Sequence, residues 1–307
     1  MLSFILRRIL EAIPTLLVLI TISFFLIRFA PGSPFTSERK MPPEVLANIE
    51  AKYGFDKPLY QQYWSYLSGL ARGDLGPSFV YKDYSVSELV GKAFPVSLKI
   101  GLTVFVVSVT LGILLGILAA LYQNTWADYT IMSFSVAGIV IPTYVIAPLL
   151  VLFFAIHLKW LPAGGWNDGG WQYMLLPVAA MAKGFTGYIA RIMRGSMIEV
   201  LNQDFIRTAR AKGLPTRTIM LRHALRPAML PLASVLGPAM VGIITGSVVI
   251  ENIFGIPGMG QLFVNGALNR DYSMVLGLTV LVGALTIAFN AIVDIAYAYI
   301  DPKIRYS

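Results

Sequence analysis

The stretch IGLTVFVVSVTLGILLGILAALY, residues 100–122, holds no charged side chain from end to end. An α-helix needs about 20 apolar residues to cross the hydrocarbon core of a bilayer, and this stretch is long enough. Five more such blocks, at 9–29, 131–156, 173–190, 229–250 and 274–300, predict an all-α polytopic membrane protein with six transmembrane helices. The composition agrees, because 56% of residues are hydrophobic, 13% are charged and the mean hydropathy is +0.69. A soluble domain carries ~25% charged residues. With no cysteine, the chain has neither a disulfide framework nor a thiolate metal site.

The first block follows Arg7 and Arg8 as the core of a signal peptide would. No small-x-small cleavage site comes after it, and Arg28 stands in that place, so it is read as a retained span. Orientation comes from where Lys and Arg gather. Between 191 and 226 stand Arg191, Arg194, Arg207, Arg210, Lys212, Arg217, Arg222 and Arg226 against Glu199 and Asp204, so this loop is expected in the cytoplasm. Arg7, Arg8, Lys303 and Arg305 then fall on the same side, with both termini cytoplasmic. The net charge of +8 is accounted for by this orientation and by membrane lipid, without a nucleic-acid partner.

The chain is expected to divide into a first helix over 1–30, an extracytoplasmic domain over 31–94, a core of five further helices over 95–300 that includes the cytoplasmic loop 191–227, and a tail over 301–307. In the outer domain a helical run from Pro43 to Tyr53 stops at Gly54, and a second run sets Leu59, Tyr63, Tyr66 and Leu70 on one face before Gly73. This predicts a small folded unit. The other reading of Tyr60, Tyr63, Trp64 and Tyr66 is an aromatic belt at headgroup level. Pro142, Pro148, Pro231 and Pro238 are each expected to remove a helix hydrogen bond within a span. Gly112 with Gly116, and Gly242 with Gly246, form small-xxx-small pairs suited to close helix packing. The run from Glu251 to Ser273, with Gly255, Pro257, Gly258 and Gly260, has the composition of tight turns.

The cytoplasmic loop contains DFIRTARAKGLP, residues 204–215. Asp204 is a candidate N-cap, Gly213 a candidate C′ residue, and Pro215 forbids continuation. Arg210 and Lys212 fall in the last turn, where positive charge suits the helix dipole. A helix this short is marginal in water, so Phe205, Ile206 and Ala209 must pack against something, either the rest of the loop or another protein.

This run resembles the cytoplasmic signature of permease subunits of binding-protein-dependent ABC importers, in which Glu-Ala-Ala is followed after three residues by Gly and later by Pro. Arg207, Thr208 and Ala209 take the three leading places, Gly213 the glycine, and Pro227 follows. Arg207 and Thr208 depart from the general pattern and match the variant of peptide importers, as do RHALRPA (222–228), LRRILEAIPTLLVLITISFF (6–25), APGSPF (30–35), GDLGPSF (73–79), IARIMRGSMIEVL (189–201) and IENIFGIPGMGQLFVNGALNRDY (250–272). The chain is similar over almost its whole length to the B-type permease subunit of oligopeptide importers.

The resemblance implies a type I ABC importer permease in the bacterial inner membrane, forming half of a translocation pathway. The implied partners are a homologous second permease, two cytoplasmic ATPase subunits and a periplasmic peptide-binding protein. ATP and Mg would be bound by the ATPases, and this chain would bind no cofactor or metal. The helix formed by Asp204, Phe205, Ile206, Arg207, Thr208, Ala209, Arg210, Lys212 and Gly213 would dock into an ATPase cleft and transmit its closure. Independently, no G-x-x-x-x-G-K-[ST] loop occurs in the chain, so energy from ATP has to come from another subunit. Related permeases for dipeptides, nickel chelates or sugars share much of the pattern.

Lys183 is the charge deepest in a predicted span, and such charges mark pathways. It is a candidate pathway residue meeting peptide carboxylates; the alternative is a lysine that snorkels or sits in a wet crevice. An intramembrane enzyme would need a nucleophile with a base, or metal ligands such as H-E-x-x-H, and neither is found, so no residue is read as catalytic. An ion-coupled transporter would carry midplane carboxylates and an internal repeat, which are also not found.

Overall fold

A computed structural model describes residues 2–29, 44, 48, 50–51, 53–244 and 248–300, with no strand among them. The helices are α1 (Leu2–Phe29), α2 (Leu59–Leu70), α3 (Val86–Leu121), α4 (Trp126–Val140), α5 (Thr143–Leu150, prolonged by a π-helical turn over Val151–His157), α6 (Trp171–Leu201), α7 (Asp204–Ala211), α8 (Leu230–Ile244), α9 (Val248–Phe254), α10 (Met259–Leu268) and α11 (Tyr272–Ile300). Short helical pieces over Thr216–Ala228 join α7 to α8. The expected run from Pro43 to Tyr53 and the tail with Lys303 and Arg305 lie mostly or wholly outside the described residues.

Among the described residues, three helices are long and apolar enough to cross a membrane, Leu10–Phe29, Val86–Leu121 and Tyr272–Ile292, and a fourth crossing is counted if a bent pair is one span. The block at 131–156, expected as one span, is two helices bent by 105° at Pro142. The cause is local. Pro142 has no N–H to continue α4, and it pushes the preceding Ile141 into an extended conformation with ψ 119°. The block at 173–190 lies inside α6, which runs on to Leu201, so Arg191 and Arg194 are helical residues and the loop expected from 191 begins at Asn202. The block at 229–250 is helical over α8 and the start of α9, and residues 245–247 lie outside the described residues. Pro231 sits in the first turn of α8, where N–H groups are unpaired anyway, so it costs no interior hydrogen bond as had been expected.

The centre of the fold is the parallel pair α3 and α6. Gly112 lies against Ile189 and Gly116 against Met193 and Ala190, each so close that an added Cβ would come within 2.6 Å of the neighbouring side chain. The antiparallel α4 crosses α6 on another face. There a Cβ on Gly138 would lie 2.7 Å from Lys183 O, and one on Gly187 would strike Ser135 O. Gly242 meets nothing within 4 Å, so the second expected glycine pair makes no helix contact within this chain at that position, and Gly246 lies outside the described residues.

The two ends of α3 serve different parts. Near its start Val86, Val90 and Ala93 pack with Met259, Met274 and Leu278. Near its end Ala120 joins a core with Met193, Met197, Ile206 and Ile219. At 1.5 Å per residue these ends are about 50 Å apart. Ser85 and Glu88 form a reciprocal capping box at the start of α3. Asp271, fully buried, accepts from Met274 N at 3.1 Å as the cap of α11 and also from Ser78 Oγ, which ties the segment before α3 to the last helix.

α1 runs antiparallel to α11, with Ile20 and Phe24 against Leu276 and Val280. α2 lies across both. Tyr63 meets Phe24 at 5.4 Å between ring centroids and Thr21 Oγ1 at 2.7 Å, and Tyr66 stacks on Phe24 at 5.9 Å. Tyr60 and Trp64 are exposed on the other face of α2. The aromatic run therefore divides by helical period, one half packed as in a folded unit and the other half free for an interface.

Candidate functional site

α7 forms as the residue pattern predicts, with one shift. The N-cap position is Gln203, so Asp204 opens the first turn, and it contributes through its charge at the positive end of the helix dipole. Its ion pair with Arg207 spans 3.4 Å between two exposed side chains and adds little. The far end is closed by a Schellman motif: Gly213 has φ +73°, its N–H donates to Arg210 O at 2.9 Å, and Leu214 N–H donates to Ala209 O at 3.3 Å. Only glycine takes that φ without strain, and Leu214 packs in the same core as Ala209.

The apolar residues of α7 divide sharply. Ile206 and Ala209 are buried in the core formed by Met193, Met197 and Ile219. Phe205 is 46% exposed, and Arg207, Thr208, Arg210, Lys212 and Gly213 are exposed with it. The packing expected of Phe205 is therefore not supplied by this chain. α7 is held rigidly from below by two side chains and presents an aromatic residue and a basic rim outward, which is the arrangement of an interface anchor.

Behind α7, Arg194 grips Asp128 with two charge-assisted hydrogen bonds, Nε to Oδ1 and Nη2 to Oδ2, both 2.6 Å. Asn124 N–H adds a third contact to Oδ2 at 3.0 Å. Asp128 is 1% exposed, and the pair fastens the start of α4 to the end of α6. Sequence reasoning counted Arg194 only as an orienting charge; an aspartate at the head of an apolar block was the available signal.

Lys183 is engaged at the break of α4. Its ammonium donates to Gly138 O at 2.9 Å and to Ile141 O at 2.5 Å. Gly138 O is the carbonyl that residue 142 would have served, had that residue not been proline. Lys183 thus replaces the missing donor and holds the bend. Lys183→Met is expected to leave two carbonyls unpaired, costing about 1–3 kcal/mol and lowering the melting temperature of the purified chain in a thermal-shift assay. An unchanged melt would return Lys183 to a pathway role.

The glycine-rich run is built around a carboxylate that sequence reasoning missed. Glu251 is 2% exposed; Oε1 accepts from Ser97 Oγ at 2.8 Å and Oε2 from Gly260 N at 2.6 Å, while Ser97 Oγ also receives Met259 N–H at 2.8 Å. A Cβ on Gly258 or Gly260 would come within 2.7 Å of that carboxylate, which is why both are glycine. Gly165 N–H donates to Phe254 O at 2.6 Å, docking the loop after α5 on the same turn. The site's arrangement is mechanical: a short helix anchored by Ile206 and Ala209 at one end of α3 and α6, a pinned helix break midway, and a buried carboxylate clasp toward the other end.

Residues 1–100 match the N-terminal family of binding-protein-dependent transport system membrane components, and residues 112–306 match the family of binding-protein-dependent transport system inner membrane components. An oligopeptide transport system permease protein of Haemophilus influenzae is 66% identical over 306 residues, covering 100% of both chains. A dipeptide transport system permease protein of Bacillus subtilis is 45% identical over 291 residues, 95% of this chain and 94% of that one. Among solved structures, the MetNI methionine ABC transporter in an inward-facing conformation aligns at TM-score 0.54 and 17% identity, over 67% of this chain and 95% of that chain. An amino acid ABC transporter with histidines aligns at TM-score 0.53 and 18% identity, over 69% and 94%. These structures share the helical fold of ABC transporter permeases with it. On both family matches and on full-length identity, the chain belongs to the binding-protein-dependent transport system inner membrane components.

Proposed function

We propose that this protein is one of two permease subunits of an ATP-driven importer of oligopeptides in the bacterial inner membrane, coupled to cytoplasmic ATPases through α7. The observation that carries the reading is α7 itself, anchored by Ile206 and Ala209 while Phe205 and the surrounding basic residues stay uncovered. The permease chain supplies half of the pathway. A homologous second permease completes it, a periplasmic binding protein delivers the peptide, and two ATPase subunits bind ATP with Mg and hydrolyse it.

Six crossings, with both termini in the cytoplasm, account for the helix directions. α3, α6 and α11 run one way and α1, α4 and α8 the other, with α7 and the segment around Ser78 at opposite ends of α3. In this reading the segment before α3, including α2, is extracytoplasmic. The bent α4–α5 pair, α6, α8 and α9 cross as members of one bundle, in which Lys183 of α6 covers the break at Pro142. Lys183 acts by positioning the bend.

A second reading, import of dipeptides, is favoured by the 45% identity to the dipeptide permease of Bacillus subtilis. The test is reconstitution of the chain with its co-expressed partner subunits in proteoliposomes, followed by uptake of labelled di-, tri- and pentapeptides. ATP-dependent uptake of the longer peptides is expected. Uptake that runs on an ion gradient without ATP would overturn the importer reading, and uptake of dipeptides alone would replace the substrate class.

A further inference from the structure

A break in a transmembrane helix frees backbone groups that hydrocarbon cannot satisfy, and the break between α4 and α5 leaves two of them open. Helix α4 ends at Val140, Ile141 is extended and Pro142 has no N–H, so no helical turn carries the hydrogen-bond ladder across 141–142. Ile141 N–H still donates to Ala137 O at 2.9 Å, and Lys183 covers the carbonyls of Gly138 and Ile141. The carbonyls of Ile139 and Val140 receive no donor among the described residues. In a continuous helix their donors would be the N–H groups of Thr143 and Tyr144, which lie beyond the 105° bend.

The open carbonyls sit at depth. From Ile131 to Ile141 the helix rises about 15 Å at ~1.5 Å per residue, half of the ~30 Å hydrocarbon core. The chain leaves this turn uncovered, with Ile139 40%, Val140 70% and Tyr144 62% exposed. Lipid does not serve as the cover, because a carbonyl facing hydrocarbon is left without a donor.

Lys183 decides between a dry cover and a wet one. Its ammonium has three N–H groups, two of which serve Gly138 and Ile141, and it forms no ion pair among the described residues. Sealing this face against another protein helix would bury a net positive charge with one N–H unmet, whereas water in a pathway meets both the charge and the carbonyls. A solute passing here finds main-chain acceptors, and the Lys183 charge beside them selects neutral amide donors over an ammonium. We propose that the open turn at Ile139 and Val140 lines the translocation pathway as a contact site for the main chain of an extended peptide, whose amide N–H groups donate to the two carbonyls. The inference rests on the importer reading and adds to it a site that holds a peptide by the groups every peptide shares. Lys183 is the positioning residue that keeps the turn open.

The chain contains no cysteine, so an introduced thiol is unique within the subunit. Val140→Cys and Tyr144→Cys are each purified with the co-expressed partner subunits in nanodiscs and treated with an anionic, water-soluble methanethiosulfonate, and the modified fraction of this chain is read by mass. Ile22→Cys is the reference, because Ile22 is 54% exposed on α1 within an apolar span. Modification of Val140→Cys and Tyr144→Cys is expected to be at least roughly tenfold faster than that of Ile22→Cys, since the reactive thiolate forms in water and not in apolar surroundings. Millimolar penta-alanine should slow modification about threefold, the protection given by a ligand at about twice its dissociation constant. Penta-sarcosine, whose main-chain amides carry no N–H, should give no protection. Modification no faster than that of Ile22→Cys, rates unchanged by penta-alanine, or equal protection by penta-sarcosine would each overturn the inference. ATP-driven uptake of penta-alanine by the wild-type assembly in proteoliposomes is measured in parallel. Uptake without protection overturns this inference alone, and protection without ATP-dependent uptake overturns the importer reading alone.

Discussion

Phe205→Ala is expected to leave the protein folded in the membrane while ATPase docking weakens roughly 30-fold, the effect of losing about 2 kcal/mol at an exposed aromatic anchor. Phe205 is 46% exposed and contributes little to the chain's own core, so its removal costs little folding energy. Its neighbour provides the contrast. Ile206 is fully buried among Met193, Met197 and Ile219, and Ile206→Ala should destabilise the chain by about 2–5 kcal/mol through the cavity it leaves. Gly213→Pro combines both kinds of damage. Proline cannot take φ +73° and has no N–H for Arg210 O, so the end of α7 is lost. The check is thermal unfolding of each purified variant beside the ratio of peptide imported to ATP hydrolysed in the assembly. If Phe205→Ala transports with the wild-type ratio, α7 is not the docking element.

Asp128→Ala should be the most damaging single change behind that helix. It strips Arg194 of a bidentate partner and frees Asn124 N–H, and hydrogen bonds to charged groups of this kind contribute about 1.5–3 kcal/mol each. The lower part of that range is expected, because Arg194 is 26% exposed and water can take over part of its solvation. The double variant Asp128→Asn with Arg194→Gln keeps the shape without an unpaired charge and should recover most of the loss. Melting curves of the wild type, Asp128→Asn, Arg194→Gln and the double variant measure the coupling. A double variant as unstable as the sum of the singles would mean the pair acts independently and does not tie α4 to α6.

The membrane class and the short helix α7 with its end at Gly213 were legible in the residues because they depend on local rules. Apolar run length predicts a span, and the left-handed preference of Gly213 with Pro215 two residues later predicts where α7 stops. The glycine pair at Gly112 and Gly116 also read true, since small residues four apart make a groove whatever helix fills it. Hydropathy alone could not show that the block at 131–156 bends by 105°, because a proline in a helix is compatible with a mild kink or a complete break. Lys183 donating to Gly138 and Ile141 is what holds the break, and that contact joins residues 45 and 42 positions apart.

What the sequence determined by itself is therefore everything governed by composition and by neighbours within about one helical turn: an all-helical membrane chain and a short punctuated helix with its family signature. The tertiary structure alone decided the partners of the isolated charges. Glu251 finding Ser97, Asp128 finding Arg194 and Asp271 finding Ser78 each close over 66 positions or more. It also decided that Ile206 turns inward while adjacent Phe205 turns outward, since a hydrophobic residue's need for cover says nothing about which molecule provides it. Burial of a charge is affordable only where a specific donor arrives from another helix, and which donor arrives depends on the packing of the whole bundle.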